Sequence, residues 1–146
     1  MLDKTGAFVT IHLPGPPRGK GRPRFGRRGE FVAVWTDKKT LSYEESLSEA
    51  GVMAMAGQEP RLGALSVRID AAMAIPESWS RRKRQEALSG DLMPTGKPDF
   101  DNIAKIVGDA LNKIVWKDDS QIIVSSFRKF YSGSPGLTVS VWDWFG

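Results

Sequence analysis

Ile103, Ile106, Val107, Ala110, Leu111 and Ile114 fall at i, i+3, i+4, i+7, i+8 and i+11, the spacing of one face of an α-helix. Pro98 keeps Lys97 out of that helix, because the residue before a proline is pushed toward extended backbone, so the helix is expected to start near Asp99. Its opposite face carries Asp101, Lys105 and Asn112. A stripe this apolar has to lie on a second apolar layer. The chain offers one in its strands. Leu65, Val67, Ile69, Ala71 and Met73 alternate with Ser66, Arg68 and Asp70, while Ala7, Val9, Ile11 and Leu13 alternate with Phe8, Thr10 and His12. Both runs predict half-buried strands, which puts His12 on a strand surface rather than in the role of a general base.

The remaining elements follow the same rules. Phe31 to Trp35 predicts a short strand. Thr40 is placed to cap a helix bearing Tyr43, Leu47, Ala50 and Ala54 and ending at Gly57. Ser78 to Leu88 predicts a short capped helix with Arg81, Arg82, Lys83 and Arg84 in its first turn. A helix start ordinarily favours acid, and either an anionic partner or a solvated face accounts for the inversion. Residues 90–96 read as loop. Gln121 to Tyr131 and Leu137 to Phe145 predict two strands joined as a hairpin around residues 133–136. Trp142 and Trp144 share one face of the last strand, as a subunit contact or as packing against a second layer. No repeat or linker divides the chain. The expected fold is α+β: a single domain over residues 1–146, with a mixed β-sheet and helices packed mainly on one face.

With no cysteine and one histidine among 146 residues, disulfides, thiolate sites and histidine-rich zinc sites are excluded. Any metal would be a hard cation held by oxygen, such as magnesium or manganese. No apolar run approaches a membrane span, and residues 1–6 lack the pattern of a signal peptide, so a cytoplasmic protein is expected. A net charge of +4 favours a polyanionic partner, nucleic acid first.

Residues 14–29 interleave four prolines and five glycines and are expected to be irregular. They carry Arg18, Lys20, Arg22, Arg24, Arg27 and Arg28, a composition that suits close approach to phosphates and equally a solvated loop. Lys20 to Arg24 also resembles an AT-hook core.

Acid gathers in one place. Asp99 and Asp101 flank the expected helix start, and Asp118-Asp119 follows the helix. At an effective dielectric of about 20, two carboxylates about 4 Å apart repel by about 4 kcal/mol, so such a cluster needs diverging side chains or a cation among them. Side chains two apart in mid-helix diverge by about 200°, so Asp99 and Asp101 can converge only if Asp99 ends an extended segment. If the chain reverses near Asn112-Lys113, the seven residues to Asp119 can return about 23 Å, enough to reach the helix start. The ordinary alternatives are an N-cap at Asp99, a dipole-favoured acid at Asp101 paired with Lys105, and turn residues at Asp118-Asp119.

The stretches Lys97-Pro-Asp-Phe-Asp-Asn-Ile-Ala-Lys105, Asp109-Ala-Leu-Asn112 and Asp118-Asp-Ser-Gln-Ile122 resemble the signature of the RusA family of Holliday junction resolvases, phage-type members especially. The resemblance extends to Gly19–Phe25, Lys38-Lys39-Thr40 and Ile75–Ser80. Two departures stand out: Lys113, where many members have glycine, which opens the turn there to another shape, and a looser run over residues 33–37. The resemblance implies a magnesium-dependent endonuclease, with manganese able to substitute, that acts as a homodimer on four-way DNA junctions and makes paired nicks. It implies Asp99, Asp101 and Asp119 as essential carboxylates and metal ligands, Lys105 as the essential lysine, and Arg18, Lys20, Arg22, Arg24, Lys38 and Lys39 as DNA contacts. Two rivals accompany this reading: a non-catalytic DNA-binding protein using the Gly19–Phe25 loop, and a nuclease for other branched DNA.

Overall fold

A computed structural model describes the backbone of residues 6–21, 24–28, 31–35 and 38–145, and their side chains outside 22–37. The elements in chain order are β1 (Val9–Pro14), β2 (Arg24–Arg28), β3 (Phe31–Trp35), α1 (Lys38–Met55), β4 (Leu65–Ala74), α2 (Arg81–Ser89), α3 (Phe100–Leu111), a single 3-10 turn (Asp119–Gln121), β5 (Ile122–Ser132) and β6 (Gly136–Asp143). This is the expected α+β arrangement. Four strands form one mixed sheet in the order β1-β6-β4-β5, with β4 and β5 parallel and the other neighbours antiparallel.

The core lies on one face of that sheet. Val67, Ile69 and Ala71 of β4 line up with Val141, Val139 and Leu137 of β6, and the apolar stripe of α3 covers them together with Leu47 and Met55 of α1. Ile103, Ile106, Val107, Ala110 and Leu111 are all buried, and the four larger side chains each contribute about 1.5–3 kcal/mol of transfer free energy. At the α1–α3 contact, a Cβ on Gly51 would stand 2.7 Å from Leu111 Cδ2, and the Ser48 hydroxyl donates to Ala110 O at 2.8 Å. The opposite sheet face is polar: Asp70 pairs with Arg68 at 3.0 Å and with Arg128 at 2.9 Å, and His12 Nδ1 lies 3.0 Å from Thr138 Oγ1. His12 is thus the surface strand residue its alternation predicts.

Four expectations are corrected. Residues 14–29 are not irregular throughout: Arg24–Arg28 pairs with β3, with Gly26 opposite Ala33. A lone strand leaves its backbone groups unpaired, and β3 finds its partner in the proline-free segment just before it. Thr40 does not mark the start of α1, which begins at Lys38 and buries Thr40 in its first turn. β5 and β6 do not form a hairpin. The chain steps across the end of β4, placing Ser132 beside Ala74 on one side and Gly136 beside Ala72 on the other. β4, the most strictly alternating strand, takes one of the two interior positions, where both edges are paired. Finally, the turn after α3 keeps the shape glycine would give it, because Lys113 adopts φ 65°, a left-handed conformation costing a non-glycine residue about 1 kcal/mol. Trp142 is half-buried and Trp144 remains exposed at the end of β6.

Candidate active site

The start of α3 organises the site. Asp99 occupies the N-cap position with extended backbone, φ −72° and ψ 156°, and Asp101 lies exposed in the first turn. Asp99 makes no side-chain capping bond; its Oδ2 accepts from Lys97 Nζ at 2.9 Å. That ion pair is solvent-exposed and contributes little, so the Asp99 carboxylate stays available to a stronger partner.

Lys105 follows Asp101 by one turn. Among the described residues its ammonium pairs with Asp109 at 3.5 Å, one turn further on, rather than with Asp101.

Asp119 arrives by the predicted reversal. Gln121 fixes the loop that carries it: Oε1 accepts from the Lys117 and Asp118 amides at 2.9 and 3.0 Å, and Nε2 donates to Arg61 O and Gly63 O at 2.8 and 2.9 Å. The Asp119 carboxylate then rests on the backbone of α3 at Gly108, where an added Cβ would lie 2.9 Å from its Oδ2. Gly108 is a notch in the stripe formed by Asp101, Lys105 and Asn112. The notch lies seven residues beyond Asp101, about 10.5 Å along the axis at 1.5 Å per residue. Within one chain Asp119 therefore reaches the helix short of its start, and among the described residues no three Asp, Glu or His side chains meet at one possible ion position. Asp118 shapes the turn instead. A hydrogen bond from the Ser120 hydroxyl, aided by local backbone amides, holds its carboxyl below the ordinary carboxylate range.

The donor chemistry suits a hard cation. Magnesium usually takes one or two carboxylates and fills its remaining positions with water and phosphate oxygens, a demand that Asp99 and Asp101 can satisfy in kind.

The expected DNA contacts divide. Lys38 and Lys39 are exposed in the first turn of α1, Arg18 is half-buried, Arg22 lies outside the described residues, and Arg24 stands on β2. Lys20 turns inward, its Nζ 2.8 Å from Glu44 Oε1 on α1 and 2.9 Å from Asp109 Oδ2 on α3. The hydrogen bond to Glu44 raises the Lys20 pKa against the opposing effect of burial, and Asp109 adds to the rise. Burial pushes Asp109 up, but Lys20, seconded by Lys105, holds its carboxyl below the usual range. The adjoining backbone is drawn in as well. The Lys20 amide donates to Asn102 O at 2.9 Å, and a Cβ on Gly19 would meet Asn102 Cβ at 2.7 Å and Pro98 Cβ at 3.0 Å.

Sequence reasoning missed Gly19, Gly108 and Gln121. Gln121 had a signal in the Asp118-x-x-Gln spacing of a capping box. Gly108 had one too, since a glycine inside a helix costs about 1 kcal/mol relative to alanine and calls for a reason.

Residues 14–142, nearly the whole chain, match the family model Endodeoxyribonuclease RusA, and the protein belongs to the RusA endodeoxyribonuclease family. The relative YqaN of Bacillus subtilis (strain 168), an uncharacterized protein, is 33% identical over 138 residues, covering 91% of this chain and 94% of its own. Membership gives the protein a reaction class, cleavage within DNA chains. No helix among the described residues is long and apolar enough to cross a membrane.

Proposed function

We propose that this protein is a metal-dependent, structure-selective endonuclease that resolves four-way DNA junctions in the cytoplasm, acting as a homodimer that makes paired symmetric nicks. The observation that carries the reading is the common stripe of α3, on which Asp101 and Lys105 stand and against which Asp119 is seated at Gly108. Asp99 and Asp101, with Asp119 as a further candidate, would hold magnesium, or manganese in its place. When bound, the ion supplies Lewis-acid charge that favours ionisation of an attacking water. The exposed Lys105 ammonium offsets negative charge developing on the phosphate. No side chain has to serve as nucleophile, which suits a chain without cysteine whose single histidine lies on the polar sheet face. The near two-fold symmetry of a junction calls for two sites, and one chain carries residues for one.

The test is a supercoiled plasmid that extrudes a cruciform, incubated with magnesium. Paired nicks give linear product, whereas uncoordinated nicks give open circles. Asp101→Asn should abolish both products while binding a synthetic junction as tightly as the parent or more so, because a negative charge beside phosphate is gone. Full cleavage by this variant would overturn the mechanism. Equal rates on flaps, forks and four-way junctions would move the substrate to branched DNA in general.

A further inference from the structure

Lys129 stands on β5 opposite Ala71, in the row of residues that faces the helices. Its neighbours in that row are Phe127 and Tyr131, both packed against the core. Lys129 is half-buried beside them, and its ammonium reaches past the apolar row to polar partners nearer the surface. Lys129 forms no ion pair among the described residues. Its Nζ donates instead to two backbone carbonyls, Gly96 O at 2.6 Å and Pro98 O at 3.0 Å. These belong to the segment that ends at Asp99, the extended residue from which α3 starts.

The same segment is held from two other sides. The Phe100 ring lies 6.2 Å from that of Phe127 on β5, and Gly19 closes on Pro98 and Asn102 from the direction of the basic arm. Phe127 and Gly19 make apolar or steric contacts, which limit how close the segment can come. Among the described residues, Lys129 supplies the directional side-chain bonds to the Gly96 and Pro98 carbonyls themselves.

We propose that Lys129 is a positioning residue for the nuclease site: by clamping Gly96 O and Pro98 O it sets the position of the Asp99 carboxylate relative to Asp101, without touching substrate. This rests on the proposed nuclease activity for its consequence in catalysis, though not for its consequence in structure. A displacement on the order of 1 Å at a reacting group lowers rate by about 10²-fold, which sets the size of the effect.

The experiment compares the full chain with Lys129→Met, Lys129→Gln and Lys129→Arg. The structural readout is amide hydrogen exchange at Ile103, whose N–H donates to Asp99 O at 3.1 Å and so reports the cap geometry, with the amides of residues 107–111 as an internal control. In Lys129→Met, exchange at Ile103 should accelerate at least tenfold with the control unchanged. Cruciform cleavage should fall about 10²-fold in kcat while junction Kd stays within twofold. Arginine, which can donate to both carbonyls, should restore most of the rate, and glutamine only part of it. If the methionine variant fails to fold, the glutamine and arginine variants carry the same comparison. Unchanged exchange at Ile103 in the methionine and glutamine variants would overturn the proposal, as would changed exchange with an unchanged kcat. A wild-type chain that does not cleave, with exchange responding as described, would uphold the clamp and sink the nuclease reading instead.

Discussion

Gly108 sets two effects in opposition at a single atom. Alanine at a helix interior position is favoured over glycine by about 1 kcal/mol, so Gly108→Ala should leave thermal stability unchanged or raise it. The new methyl group would sit 2.9 Å from Asp119 Oδ2 and drive that exposed carboxylate off the helix. Cleavage should then fall at least tenfold while the melting temperature holds or rises; a variant that melts higher and cleaves normally would show that Asp119 does not work from the notch. Asp99, Asp101 and Lys105 were legible as a charged group at a proline-bounded helix start in a basic chain, and their candidate roles came from the resemblance to the RusA family. The resting place of Asp119 was not legible. Extended-chain arithmetic gives how far Asp119 can travel, and the loop braced by Gln121 together with the bare backbone at Gly108 determines where it stops.

Among the elements, the Gly19–Lys20 strap ties the basic arm to both long helices. Lys20→Met removes two charge-assisted hydrogen bonds and leaves Glu44 and Asp109 facing each other, a loss of about 1–3 kcal/mol. The pH dependence follows from the signs. Asp109 is depressed in the folded state, so its share of the tie is present above the ordinary carboxylate pKa and disappears as pH falls through its lowered value. Lys20 is raised, so its share is complete below 10.5 and disappears as pH rises through its higher folded value. Urea melts of parent and variant should therefore differ most at neutral pH and converge at both extremes. A gap that is constant with pH would assign the loss to packing. Binding separates Lys20 from the arm beyond it: Arg24→Ala should flatten the log–log salt dependence of junction binding by about 0.9, whereas Lys20→Met should leave that slope unchanged. An unchanged slope in Arg24→Ala would place DNA elsewhere. At this scale the sequence was readable wherever apolar period decided the outcome, as in β4 and α3. It misled where pairing partners decided, as in the β2–β3 ribbon and the separation of β5 from β6, because alternation shows which side of a strand is buried and says nothing of its neighbour.

Over the whole molecule, the candidate site from Asp99 to Asp119 hangs on one connection, residues 75–121, between two strands that lie parallel and adjacent. Parallel neighbours cannot pair until everything between them has been closed into a loop, and the entropy of that closure has to be met before the pairing returns any stability. Helix α3 can form from local interactions beforehand, but Lys129 and Phe127, which hold the segment leading into it, arrive only with β5. On the proposed mechanism, a chain whose β5 has not yet paired lacks the clamp that arranges its carboxylates, however much of α3 has formed. In refolding, cleavage activity should appear with the long-range β4–β5 signal in pulsed hydrogen exchange and lag behind helix formation by circular dichroism. Cleavage of DNA, on the proposed mechanism, waits on the closure of residues 75–121 between β4 and β5.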